Sequence, residues 1–201
     1  MTENRVNPSA PQQRQFSGVV IFDWNIVQYW ISKKMRPAIL PVLHDIGGAN
    51  FQFSMSEISL YEAQCLVPKG KHEESIQFMN GIPRYSVDTN THLVAGILRS
   101  CYTNHKDIKG HGDDISLQDI FNASCAILNG GFILTADPHD YPIPFFDPVY
   151  YWTIQDPTGK RQKIYLIKPD VLTIDEYAVQ WVKSTEANKA NKIKQQKGKA
   201  L

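Results

Sequence analysis

The chain has 201 residues, 42% of them apolar, which is enough for one sizeable core and too apolar for global disorder. Twenty-one Lys and Arg stand against 20 Asp and Glu, a net charge of +1 that neither demands nor excludes a polyanionic partner. No apolar run approaches the roughly 18 residues of a membrane span, so no membrane partner is expected.

Residues 1–15 are polar, contain proline and lack the apolar stretch of a secretory signal. They read as a flexible leader. The first ordered element is expected at 16–23, where Val19, Val20, Ile21 and Phe22 form a continuous apolar run closed by Asp23. Such runs mark strands covered on both faces. A helix is expected over 26–35, since Ile26, Tyr29 and Trp30 build one stripe. Pro37 ends it or opens the next turn, a further short helix follows, and Gly47-Gly48 breaks the chain. Phe51, Phe53 and Met55 alternate with polar residues, predicting a strand over 50–56.

Ser59 and Glu62 fit a capping box at the start of the next helix. Residues 68–87 carry two prolines and two glycines and have room for one short helix. Residues 91–105 predict a longer one, with Leu93, Ile97 and Leu98 in the core, and 106–114 read as a loop. Residues 115–130 give the clearest helix: Ser116 and Asp119 repeat the Ser-x-x-acid pattern, Ile120, Ala123, Ile127 and Leu128 supply the buried face, and Gly130-Gly131 stops it. Residues 132–137 form another buried strand ending in acid. After a proline-rich stretch, 150–168 read as a β-hairpin turning at Asp156–Gly159. Thr173, Asp175 and Glu176 begin a last helix carrying Tyr177, Val179, Trp181 and Val182. Residues 183–201 are a lysine-rich stretch expected as a flexible tail. This order predicts one α/β domain over 16–182, a mostly parallel sheet between helical layers with the hairpin as an extension.

Asp23 and Asp137 each end an apolar strand, and Glu62 and Asp119 each fall in the first turn of an expected helix. The crevice of an open α/β sheet lies at those ends. Carboxylates gathered there repel one another, and a hard cation such as Mg²⁺ or Mn²⁺ relieves the repulsion. Each acid also has a plainer reading: Glu62 and Asp119 as capping acids, Asp23 as an N-cap, Asp137 as the opening of an Asp-Pro turn. Cys65, Cys101 and Cys125 match no metal-binding spacing and read as small thiols of a reducing cytoplasm.

Three segments together resemble the PIN-domain family. They are DWNI with Asp23 and Asn25, SEISLYE with Ser56, Ser59 and Glu62, and DIFNASCAILNGGFILTADPHDY with Asp119, Gly130, Thr135, Asp137, Asp140 and Tyr141. The nearest likeness within that family is to the ribonuclease toxins of prokaryotic toxin–antitoxin pairs. The resemblance implies a three-layer α/β/α fold and hydrolysis of RNA phosphodiester bonds by water, assisted by Mg²⁺ or Mn²⁺. It makes Asp23, Glu62, Asp119 and Asp137 the metal-binding and catalytic acids, with Asn25 and Thr135 orienting carboxylates and Asp140 a supporting acid at the rim. It implies an RNA substrate, a homodimer, and a cognate antitoxin or inhibitor protein. The proline-rich stretch, hairpin and lysine tail exceed the smaller toxins. An inactive PIN domain serving as an RNA-binding or assembly module is the alternative. An aspartyl phosphatase is disfavoured because its Asp-x-Asp is absent, and a dinucleotide-binding domain because no GxGxxG follows the first strand.

Overall fold

The computed structural model describes residues 18–66, 72–105, 108 and 114–198. In chain order the elements are β1 (Gly18–Phe22), α1 (Trp24–Ile31), α2 (Arg36–Gly48), β2 (Phe51–Ser56), α3 (Glu57–Leu66), α4 (His72–Asn80), β3 (Arg84–Tyr85), α5 (Thr89–Asn104), α6 (Leu117–Leu128), β4 (Phe132–Thr135), a 3₁₀ turn (Pro138–Asp140), β5 (Phe146–Gln155), β6 (Arg161–Pro169) and α7 (Val171–Gly198). The expected leader, and most of the expected loop at 106–114, lie outside the described residues.

Six strands form one sheet in the order β3-β2-β1-β4-β6-β5. The first four are parallel; β6 runs antiparallel to β4, and β5 antiparallel to β6. The hairpin therefore widens the sheet itself and spans 146–169, longer than expected. Strand alternation splits the core in two. Val20, Phe22 and Leu134 pack with Ile26, Val27 and Val42 of α1 and α2. Ile21, Ile133 and Ile167 pack on the other face with Leu98 of α5 and Ile120 of α6. The result is a mixed α/β architecture with helices flanking a central sheet. Each fully buried Ile, Leu or Phe contributes about 1.5–3 kcal/mol, which is why the unbroken apolar runs occupy the central strands.

Local chemistry sets the element ends. Asp23 caps α1, accepting from Trp24 N, so the helix begins two residues earlier than expected and ends at Ile31. Pro37 sits in the first turn of α2, where a missing N–H costs nothing. Gly130 follows α6 at φ +57°, in the left-handed region. A Cβ at Gly131 would stand 2.6 Å from the Val19 carbonyl oxygen, so only glycine lets the chain enter β4 this close to β1.

Several expectations need correction. Helix α3 starts at Glu57, so Ser59 lies inside it and does not cap it. In α5 Leu98 is buried, but Leu93 is 62% exposed and Ile97 40% exposed. The buried stripe runs instead through Thr91, Ala95, Leu98, Cys101 and Tyr102. Leu93 and Ile97 line an open groove beside Val179, Trp181 and Val182 of α7. Leu128 is likewise exposed, past the end of the face that α6 buries. Residues 183–198, expected as a tail, continue α7 as helix. Among the described residues no helix is long and apolar enough to cross a membrane.

Candidate metal centre

Asp23 follows the last residue of β1 and is almost fully buried. Three groups hold its carboxylate. Trp24 N donates to Oδ1 at 2.5 Å, while the Thr135 hydroxyl and Asn25 Nδ2 donate to Oδ2 at 2.6 Å and 2.8 Å. Thr135 comes from the end of β4, paired beside β1. Asn25 Nδ2 also reaches the Thr135 hydroxyl at 3.0 Å, and Asn25 Oδ1 accepts from Ala136 N at 2.9 Å. Asn25 thus ties the ends of the two central strands together while orienting Asp23.

Asp119 lies in the first turn of α6. Ser116 Oγ accepts from Asp119 N at 3.2 Å and donates to Asp119 Oδ2 at 2.5 Å, a reciprocal cap that fixes the carboxylate. Asn122, one turn later, is buried, and its Oδ1 accepts from Ser56 Oγ at the end of β2 at 2.6 Å. Ser56 Oγ and Ser59 Oγ are also hydrogen-bonded, at 3.2 Å. The Ser59 hydroxyl therefore belongs to a buried polar seam between α3 and α6.

Carboxylate oxygens of Asp23, Asp119 and Asp140 all lie within 4.8 Å of one another. Asp140 ends the 3₁₀ turn, whose short reversal carries it inward. Asp137 is placed differently: it is exposed, and its Oδ1 accepts from His139 N at 3.1 Å to start that turn. The structure thus brings two of the four expected acids together with the one expected at the rim, and leaves Asp137 outside that group. Glu62 sits in the second turn of α3 and interacts electrostatically with Asp23 and Asp119. Its Oε2 is buried and has no hydrogen-bond partner among the described residues.

Burial dominates the electrostatics. It lifts the Asp23 carboxyl to about 7, helped by the charge of Asp119, against the pull of its hydrogen bonds from Thr135 and Trp24. Glu62 rises to about 7 through burial and then Asp119, and Asp140 to about 7 through burial and then Asp119 and Asp137. Asp119 is also raised by burial, while its bonds to Ser116 oppose the rise. Burial drives the Tyr141 hydroxyl well above its ordinary range, with Asp23 and Asp119 adding to it. Tyr141 is thus a site neighbour whose hydroxyl stays protonated.

These residues fit a hard divalent cation. All the donors are oxygens, and one buried carboxylate oxygen lacks a partner. Oxygens about 2.1 Å from a Mg²⁺ ion stand at most roughly 4.2 Å apart, so the 4.8 Å cluster needs only a small inward rotation. The buried cysteines are no substitute, because burial pushes the Cys101 thiol up to about 11 and Cys125 to about 12. Sequence pattern marks Asp23 and Asp119 through the strand end and the Ser-x-x-acid spacing. Asn122 was missed, although its place three residues after Asp119 puts it on the same helix face.

No protein-family model matches the chain, and no curated protein matches its sequence. Among solved structures, the chain is similar to one in the crystal structure of VapBC2 from Rickettsia felis bound to a DNA fragment from their promoter. The identity is 19%, the match covers 63% of this chain and 93% of that one, and the TM-score is 0.49.

Proposed function

We propose that this chain is a Mg²⁺- or Mn²⁺-dependent endoribonuclease of the PIN type, hydrolysing RNA phosphodiester bonds. The observation that carries this reading is the convergence of Asp23, Asp119 and Asp140 at the carboxyl ends of the parallel strands, with Asp23 held by Thr135 and Asn25. One buried acid with three half-buried ones around it is costly without a counter-charge. Asp23, Asp119 and Asp140 would hold the cation, and the unpartnered Glu62 oxygen would complete its ligands. Bound there, the ion would polarise the attacking water and offset charge building on the phosphate. The α6 N-terminus opens on the same cleft and adds partial positive charge for a phosphate oxygen. Thr135 and Asn25 keep Asp23 fixed while that charge develops. Asp137, exposed at the mouth, acts on the site through its charge.

The toxin-type resemblance extends this proposal to a homodimer and a cognate antitoxin or inhibitor. The test is a panel of labelled RNA and DNA substrates incubated with Mn²⁺, Mg²⁺ or EDTA, beside a folded Asp23→Asn variant. RNA cleavage that needs the metal and is lost in the variant supports the proposal. Absence of cleavage on every substrate, with metal bound, would favour the alternative of an inactive PIN domain acting as an RNA-binding or assembly module.

A further inference from the structure

The acid cluster does not sit at the edge of the sheet. Thr135, which holds Asp23, pairs directly with Tyr165 of β6, and Tyr165 pairs with Tyr151 of β5. Paired residues share a sheet face, and neighbouring strands lie about 4.8 Å apart. Thr135, Tyr165 and Tyr151 therefore form one row running outward from the cluster. Tyr165 also lines a cavity of about 740 Å³ whose wall includes Asp140, His139, Ile143 and Pro148. The row reaches the cluster at Asp23 through Thr135, and the cavity reaches it at Asp140.

Beyond this row the hairpin keeps its parity. Register places Thr153 opposite Lys163 and Gln155 opposite Arg161 on the face that carries Tyr151 and Tyr165. All four are exposed, as is Tyr151 at 51%. The opposite face buries Ile154, Ile164 and Leu166 against the core with α1 and α2. This face thus carries the exposed Tyr151, the half-buried Tyr165 that packs on the α5–α6 side of the core with its ring centroid 6.1 Å away, and two exposed cations, Lys163 and Arg161, with no carboxylate among its strand residues. Lys163 Nζ lies 4.2 Å from the Tyr151 ring centroid, so charge and ring form a single patch. The Tyr151–Tyr165 pair itself contributes about 0.2–1 kcal/mol to the sheet, and charge alone would blunt the β5 edge, so an exposed ring set beside two like charges also suits a ligand outside the fold.

We infer that this hairpin face is a platform for a single strand of RNA leading into the acid cluster, an inference that rests on the nuclease reading above. Tyr165 and Tyr151 stack unpaired bases, Lys163 and Arg161 hold the phosphates between them, and the cavity beside Asp140 takes the base next to the bond to be cut. Aromatic side chains interleaved with cations suit a single strand because every base offers a stacking face, whereas a duplex hides its bases. The positive hairpin also supplies the attraction that the acid cluster lacks.

Fluorescence anisotropy of the full chain in EDTA, with a labelled single-stranded RNA of about twelve nucleotides, tests this without turnover. Tyr151→Ala is expected to weaken binding about ten-fold and Tyr151→Phe to preserve it. Lys163→Gln should weaken binding and reduce the slope of log affinity against log salt by about 0.7. Duplex RNA should bind more weakly and ignore Tyr151→Ala. Wild-type affinity for the single strand in both Tyr151→Ala and Lys163→Gln would overturn the platform, as would an equal dependence on Tyr151 for duplex. Cleavage is read separately. Binding that depends on Tyr151 in a chain that cleaves nothing keeps the platform and removes the nuclease; metal-dependent cleavage with hairpin variants binding as wild type does the reverse.

Discussion

The Thr135 hydroxyl donates to Asp23 Oδ2 across 2.6 Å, joining residues 112 apart in sequence at the carboxyl ends of two adjacent parallel strands. This one bond connects the fold to the site, because the β1–β4 register that builds the core also sets its length. Thr135→Val keeps the shape and removes the donor. The expected outcome is a 10- to 100-fold loss of Mn²⁺ affinity by calorimetry, with the chain still folded by circular dichroism. Unchanged affinity would mean that Asp23 is held well enough by Asn25 and Trp24 alone.

Asp137 and Asp140 are three residues apart and are placed differently. Asp140 contributes to the oxygen cluster, whereas the Asp137 carboxylate caps the 3₁₀ turn and is exposed. Asp140→Asn should therefore weaken Mn²⁺ binding at least ten-fold, and Asp137→Asn by much less. Parallel calorimetric titrations of the two variants decide the order, and a larger loss in Asp137→Asn would reverse the assignment.

This distinction shows where sequence pattern stops. The runs ending at Phe22 and Thr135 are legible because central strands are buried on both faces, and Asp119 is legible because its cap partner Ser116 is only three residues away. Asp140 is marked only by the family resemblance, and only as a rim acid, since its inward placement depends on a single 3₁₀ turn after a proline, with no repeating pattern to reveal it. Leu93 and Ile97 mislead for another reason: a spacing of four defines a helix face but not which neighbour covers it, and α6 packs against Ala95, Leu98 and Tyr102 instead. Residues 183–198 continue a helix whose lysine-rich sequence carries no apolar stripe to announce it.

The raised carboxyls set a pH dependence with a definite sign. Asp23, Glu62 and Asp140 titrate near 7 in the folded chain, against about 4 when unfolded. Between those values the folded state binds more protons, so stability must fall as pH rises. In EDTA the melting temperature should decline from about pH 4 to about pH 7 through these groups. Millimolar Mn²⁺ should raise it strongly at pH 7.5 and hardly at pH 5, where protons occupy the acids. A metal effect equal at both pH values would separate the ion from these carboxylates.

Gly131 tests the fold independently of the chemistry. Its Cβ position lies 2.6 Å from the Val19 carbonyl oxygen and 3.3 Å from the Val19 Cβ, with the β1 backbone unable to retreat. Gly131→Ala should cost about 1–3 kcal/mol in urea denaturation, the range for overpacking. A neutral substitution would imply that β4 enters the sheet further from β1.

Mn²⁺ titration of the full chain by calorimetry at pH 7.5, beside Asp119→Asn, tests the central claim most directly. The acid cluster is expected to give saturable binding that Asp119→Asn abolishes or weakens by at least ten-fold. Wild-type protein that takes up no Mn²⁺ at millimolar concentration, or binding that Asp119→Asn leaves untouched, would contradict a metal centre at Asp23, Asp119 and Asp140 and the hydrolytic function built on it.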